Sequence, residues 1–178
     1  MAAQRMLEVR VSRMNEAELH ARGGIEHAAE QMPIMVAVHS GWLIACLAEV
    51  WLFDRPFHRA LALPMLLVFC AGQALRIAAI RALGVRWTVK VLVVPGETPV
   101  SGGIFRYLRH PNYLGVILEI VALPLVHTAW LTAVVFSAAN GALLYRRILA
   151  EEQALAASSD YDARFADRAR LVPRGSRR

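Results

Sequence analysis

Two clusters in the 178-residue sequence combine side chains that could do chemistry. The first runs Arg109, His110, Pro111, Asn112, Tyr113, Leu114, Gly115, with Tyr107 just before it. Proline suits the first turn of a helix, and the free N–H groups beside it can hold an anionic group such as a carboxylate. Arg109 and His110 sit next to that pole. The second cluster is Tyr145, Arg146, Arg147, Glu151 and Glu152, in which Arg147 and Glu151 share a helix face by i,i+4 spacing. Each cluster also has a plainer reading. Arginines and glutamates after a membrane helix often form a solvated anchor, Tyr107 and Tyr113 serve equally as interfacial aromatics, and His110 as a hydrogen-bonded helix-start residue. Cys46 and Cys70 lie in apolar runs without metal-ligand spacing to any histidine. Buried packing is expected of both, with no disulfide and no metal site.

The elements that would position these clusters are membrane spans. The chain is 57% hydrophobic and 19% charged, with a mean hydropathy of +0.41, against about 45 to 50% and about 25% for an ordinary soluble domain. Residues 34–53 form one apolar run in which only His39 and Glu49 are ionisable, about the length that crosses a hydrocarbon core. After a polar knot at 54–59, residues 60–83 form a second run with Arg76 and Arg81 near its end. Residues 112–145 would make a helix of about 50 Å, too long for one crossing, and Pro124 and His127 near the middle divide it. The reading is two helices, 111–125 and 129–150, joined by a tight turn. The expected fold is therefore all-α: a polytopic bundle of about four transmembrane helices with a C-terminal helical hairpin and a cytoplasmic cofactor pocket.

Residues 1–33 carry both charge signs and no apolar signal-peptide core. Leu7, Val11 and Met14 share one face of a helix there, which is expected to lie on the membrane surface or pack on the bundle before Gly23 and Gly24 end it. Of the twenty lysines and arginines, only Arg55 and Arg59 fall on the side of the 54–59 knot and the hairpin turn. The positive-inside rule then puts the termini and the segment between the second and third spans in the cytoplasm. The pI near 10.1 reports this topology and contact with anionic lipid, so no nucleic-acid partner is expected. Residues 85–111 carry the features that fix backbone shape, including a short extended run or re-entrant wall at 89–94 and the pairs Pro95-Gly96 and Gly102-Gly103. The hairpin returns the Arg-Arg and Glu-Glu cluster to the neighbourhood of Arg109-His110-Pro111, so one pocket lined by both is expected.

The run GGIFRYLRHPNYLG, followed by a hydrophobic hairpin ending in YRRILAEEQAL, resembles the isoprenylcysteine carboxyl methyltransferase family of integral membrane enzymes. More narrowly, VPGETPVSGGIFRYLRHPNYLGVILEIVALPL and TAVVFSAANGALL, with QRMLEVRVSRMNEAELHARGGIEH and MVAVHSGWLIACLAEV upstream, are similar to the bacterial branch that accompanies type III polyketide synthases and O-methylates alkylpyrones or related lipids. The resemblance covers about residues 4 to 155. Relatives of that branch carry a further apolar span ahead of the QRMLEVR-like segment, so altered packing is expected at the N-terminus.

The resemblance implies S-adenosylmethionine as methyl donor, with S-adenosylhomocysteine as product, reached from the cytoplasm while a lipid acceptor enters laterally from the bilayer. It assigns Tyr107, Arg109, His110, Pro111, Asn112, Tyr113 and Gly115 to the donor pocket, with Glu151 or Glu152 holding polar groups of the cofactor. No soluble-type glycine-rich strand-to-helix loop is present. Methyl transfer from a sulfonium chiefly requires alignment in a dry pocket. Prenylcysteine carboxylates and acidic hydroxypyrones can both be anionic near neutral pH, which leaves Arg147 or Arg109 to orient an oxyanion. Glu151 and Glu119 complete the candidate catalytic set.

Glu119 lies one turn beyond Gly115. As an ionisable residue inside a span it is read either as an acceptor contact or as a neutral acid hydrogen-bonded to Asn140 across the hairpin. His39 and Glu49 are read as bundle or interface contacts, and Asn140 as glue between helices. A bulky side chain at Gly115 is expected to block the donor or to push the two hairpin helices apart.

The organisation expected is a cytoplasmic amphipathic segment (1–33), two spans (34–83), the catalytic region with its hairpin (84–155), a cytoplasmic tail (156–170) and an expression-tag remnant (171–178), whose LVPRGS looks like a thrombin-cleavage linker. The leading reading is a bacterial inner-membrane O-methyltransferase acting on a lipophilic acid or hydroxyl, its partners being that small molecule and membrane lipids. A membrane sterol-type reductase using a nicotinamide cofactor and a non-enzymatic membrane scaffold are the alternatives. Pairing of copies through either of the first two spans is compatible with the composition.

Overall fold

The computed structural model of the chain describes residues 2–172, with side chains described from Gln4 onward. Six helices follow in order: α1 (Ala2–Ala21), α2 (Gln31–Leu52), α3 (Arg59–Leu83), α4 (Pro111–Leu125), α5 (Trp130–Ser158) and α6 (Tyr161–Phe165). Two short strands, β1 (Ile25–His27) and β2 (Val91–Val93), pair antiparallel with Ile25 opposite Val93. The extended run expected at 89–94 thus supplies the inner, buried strand of a two-stranded ribbon. The chain is mostly helical, and two stretches, Gln31–Leu52 and Arg59–Arg86, are long and apolar enough to cross a membrane. Their outer faces carry large apolar side chains, with Trp51 81% and Leu67 72% exposed. Surface of that kind is out of place in water and at home in lipid.

The division of the third apolar run falls where proline dictates. Pro111 takes the first turn of α4, where its missing N–H costs nothing, and the carbonyl of Pro124 accepts the N–H groups of His127 (3.2 Å) and Ala129 (3.0 Å) to close the turn into α5. Glu49 of α2 caps that new helix. Its carboxylate accepts the backbone N–H groups of Leu131 (3.2 Å) and Thr132 (2.6 Å), and Arg55 pairs with it at 2.8 Å. A negative charge on the free N–H groups of a helix start satisfies donors that the helix itself cannot.

Trp42, Val116, Ile120 and Leu144 form the core that joins α2, α4 and α5. A second core of Ala79, Phe105, Tyr161 and Phe165 joins α3, the loop before α4 and α6. Helices α3 and α4 cross with almost no space between them. A Cβ placed on Gly115 would lie 2.7 Å from the Gly72 carbonyl and 2.5 Å from Arg76 Cγ. The neighbour that a bulky residue at Gly115 would displace is therefore α3, and the expectation that it would part α4 from α5 is corrected.

Helix α1 packs on the bundle with its polar face inward. Leu7, Val11 and Met14 are exposed, whereas Ser12 is buried and Gln4, Arg5 and Glu8 reach the helices beneath. Arg76 donates to Glu8 (2.7 Å) and to Glu119 (3.0 Å), and Arg5 donates to Glu119 at 2.7 Å. Asn140 plays no part in this, and its Oδ1 is buried without a partner, so the expected Glu119–Asn140 hydrogen bond is replaced by two arginines. Cys70 is exposed on the outer face of α3 and Cys46 is half-buried, which corrects the expectation of burial for both. The segment after α6 runs back beside Leu108, where Ala169 pairs with it in a parallel bridge. The LVPRGS reading extends past Val172, and its residues 173–176 lie outside the described residues.

Candidate active site

A cavity of about 440 Å³ lies between α1, α2, the loop before α4, and the facing sides of α4 and α5. That volume is within the range of small-molecule sites. Arg109, His110, Pro111, Asn112, Tyr113, Arg147 and Glu151 all line it, so the two sequence clusters meet in one place as the hairpin required.

Arg147 is the most deeply placed cation that α5 gives this cavity. It is 3% exposed, its Nε donates to the Tyr113 hydroxyl at 3.0 Å, and its Nη2 donates to the Val89 carbonyl. Its Nη1 is buried and has no partner among the described residues. Leaving a buried charged donor unmade costs a few kcal/mol, so such an atom marks a place where something else is meant to bind. Tyr113 in turn donates to Glu151, which leaves that carboxylate on the cavity wall, held from one side only. The His110 ring stacks over Tyr113 at 5.4 Å between centroids, fixing the tyrosine that links the arginine to the glutamate.

Glu152, one residue on, faces the other way. It pairs with His110 Nε2 (3.1 Å), Arg109 Nη1 (3.6 Å) and Arg170 Nη2 (2.6 Å) and does not line the cavity. Burial raises its carboxyl, but the hydrogen bonds and charges of His110 and Arg170 outweigh that and hold it down to about 2. It is a fixed anion that anchors the loop before α4 to the returning tail. Arg109 is occupied as well, because its Nε donates to the Arg168 carbonyl at 2.8 Å. Of the two candidate oxyanion holders, Arg147 has the free N–H.

Three other predicted residues lie elsewhere. Tyr107 is 60% exposed beneath Arg106, outside the cavity, because the short 3₁₀ turn of residues 103–106 swings it outward. Gly115 serves the α3/α4 crossing. Glu119 lies behind Arg76, in the polar network that ties α1 to the bundle, and is not on the wall.

The wall also contains residues that the two clusters did not announce. Phe105, Tyr161 and Phe165 come from the loop and the tail, with Tyr161 and Phe165 stacked at 4.7 Å. Burial, with Glu152 and Glu151 nearby, pushes the Tyr161 phenol upward, so it stays protonated. An aromatic pair at i,i+4 in an otherwise polar tail was the readable signal. His39 and Trp42, one turn apart on α2, line the opposite side. Their signal was faint, since any membrane helix can carry such residues in its packing. Among the described residues no group of three or more potential ligands forms a metal site.

YpbQ of Bacillus subtilis (strain 168), an uncharacterized protein, is 37% identical over 152 residues, which is 85% of this chain and 90% of the relative. An uncharacterized protein of Haemophilus influenzae (strain ATCC 51907 / DSM 11121 / KW20 / Rd) is 28% identical over 154 residues, covering 86% and 89%. The model of the isoprenylcysteine carboxyl methyltransferase (ICMT) family matches residues 65–157, from the second apolar helix through both charged clusters. With more than half its length in that match and the apolar helices that a membrane enzyme needs, the chain belongs to the isoprenylcysteine carboxyl methyltransferase family.

Proposed function

We propose that this protein is an S-adenosylmethionine-dependent O-methyltransferase of a bacterial inner membrane, acting on a lipophilic acceptor from a cytoplasm-facing pocket. The observation that carries the reading is buried Arg147, whose Nη1 has no partner among the described residues, on a cavity wall that α5 shares with Glu151. The residues present fit such a donor. Phe105, Tyr161 and Phe165 offer aromatic surface for a purine, the Glu151 carboxylate suits hydroxyl or ammonium groups, and the N–H groups at the start of α4 suit a carboxylate. When bound, that donor supplies an electrophilic methyl group and leaves as a thioether. Arg147 is the residue that orients the acceptor oxygen, and the apolar walls exclude water from the line of transfer.

The acceptor is a carboxylate of the prenylcysteine kind or a hydroxyl of the alkylpyrone or phenolic-lipid kind. Met35, Val36 and Leu43 of α2 carry the cavity wall toward the apolar outer surface, which suits entry from the bilayer. Four crossings, formed by α2, α3, the shorter α4 and the part of α5 up to about residue 150, suit the charge distribution.

The test is incubation of detergent-purified protein with methyl-labelled S-adenosylmethionine and, separately, an alkylpyrone and a prenylcysteine analogue, followed by chromatography of the extracted lipids. Label in either lipid is the expected result. Absence of label together with no change in melting temperature on adding S-adenosylhomocysteine would overturn the reading.

A further inference from the structure

Of the two histidines on the cavity wall, His39 is the one with no hydrogen bond to a carboxylate among the described residues, and its ring is held in a defined tautomer. Nδ1 lies 2.8 Å from the carbonyl of Met35, one turn earlier on α2. A carbonyl only accepts, so Nδ1 carries the hydrogen, and in the neutral ring Nε2 is then a bare lone pair. None of the described residues donates to that nitrogen. The other histidine of the wall differs: His110 Nε2 is taken by Glu152. The cavity wall thus carries a proton acceptor at His39 on α2 and, on α5, Arg147 with its buried Nη1 unpartnered among the described residues. Such a pair is built for a group that arrives as O–H and reacts as an oxyanion.

We propose that His39 is the general base of this site, taking the proton of a hydroxyl acceptor while Arg147 holds the oxygen. The proposal rests on the methyltransferase reading above in its hydroxyl form. The acceptor O–H bond breaks toward Nε2, giving an imidazolium that keeps its Nδ1–H on Met35. The acceptor oxygen forms the bond to the methyl carbon of the sulfonium donor, and the methyl–sulfur bond breaks with its electron pair left on sulfur. The ether and the thioether leave, and the proton passes to water. A carboxylate acceptor brings no proton and would set its own lone pairs against that of Nε2, so His39 has work to do only with a hydroxyl. The charged groups that bear on the ring are Arg5 from α1, Glu119 from α4 and Arg147 from α5. All three are held in contacts that do not involve it.

A long-chain alkyl nitrophenol, whose ionised form is coloured, tests this without any donor present. Bound to the wild-type protein below the pH at which the free phenol ionises, it should show the phenolate band while a pH indicator in weak buffer registers no proton released, because the proton stays on the protein. Proton release in step with the band would mean that Arg147 stabilises the anion without a base and would overturn the proposal. So would failure of the phenol to bind. His39→Gln keeps a donor for Met35 but no basic nitrogen, and should lose the band and slow methyl transfer to a weakly acidic phenol on the order of 100-fold, the loss shrinking as the phenol becomes more acidic. An unchanged rate and band in His39→Gln overturn the assignment. S-adenosylhomocysteine should raise the melting temperature of wild type and His39→Gln alike. If it raises neither, the methyltransferase reading itself fails, a result distinct from failure of His39.

Discussion

At Glu152 the burial that would raise a carboxyl is outweighed by hydrogen bonds from His110 and Arg170, and the group is held at about 2 against an ordinary 4.5. Because the folded value lies below the unfolded one, the stability this carboxylate contributes is complete above about pH 4.5 and is lost as the pH falls toward about 2. Glu152→Gln should therefore lower stability at neutral pH by about 2 kcal/mol, the size of buried hydrogen bonds to charged groups. It should also flatten the acid side of the stability profile between those two values. Thermal unfolding in detergent across that range checks it, and a variant as acid-sensitive as wild type would mean that other carboxylates set the profile. Glu151→Gln is the contrasting substitution. Its carboxylate accepts only from Tyr113 and faces the cavity, so the fold should tolerate the change while the melting shift caused by S-adenosylhomocysteine shrinks. The sequence marked both glutamates but not their division of labour. Consecutive helix positions point about 100° apart, and which one meets the cavity depends on how α5 is rotated against α4 and the returning tail. That tail was legible only as polar sequence, although Tyr161 and Phe165 complete the wall.

Helices α3 and α4 approach each other through Gly72 and Gly115, each standing where a methyl group would strike the other's carbonyl at 2.9 or 2.7 Å. Gly115→Ala should force the pair apart and lower stability by about 1 to 3 kcal/mol, the usual cost of overpacking a tight contact. Gly141→Ala, on α5 with open space around the added atom, should be neutral or gain about 0.5 to 1 kcal/mol from the better helix former. Paired melting curves decide it, and equal effects of the two substitutions would remove the crossing as a constraint. The bounds of α4 were readable because proline chemistry is local, with Pro111 opening the helix and Pro124 leading into its end. The direction in which α1 faces was not. An apolar stripe of Leu7, Val11 and Met14 argues for burial when the surroundings are water, yet these residues point outward and Ser12 points in. Here the polar face turns to the interior, where Arg5 and Glu8 find Glu119 and Arg76. Strand β1 was equally silent, since three residues between turns are too few to show a period.

Apolar exterior and charge distribution make the proposed seating in a membrane testable. Exposed Trp51, Leu47, Leu63 and Leu67 surround the two long apolar helices, and only Arg55 and Arg59 of the twenty lysines and arginines lie in the connection between them. The rule that arginine and lysine remain on the cytoplasmic side then puts that connection outside and Asp162, beside the cavity's aromatic pair, inside. The four-crossing arrangement requires both placements at once, because α4 and α5 must cross out and back for the Arg147 cluster to rejoin His110. With Cys46 and Cys70 replaced by alanine, single cysteines introduced by His58→Cys and Asp162→Cys should react oppositely with a membrane-impermeant maleimide. In sealed right-side-out vesicles the first should label and the second only after detergent, and inverted vesicles should reverse the pattern. Labelling of both from one face would mean an even number of crossings between residues 58 and 162 and would reject the three made by α3, α4 and α5. The consequence reaches the chemistry, for a water-soluble donor made in the cytoplasm can enter beside Tyr161 and Phe165 only if that end of the cavity opens to the cytoplasmic side.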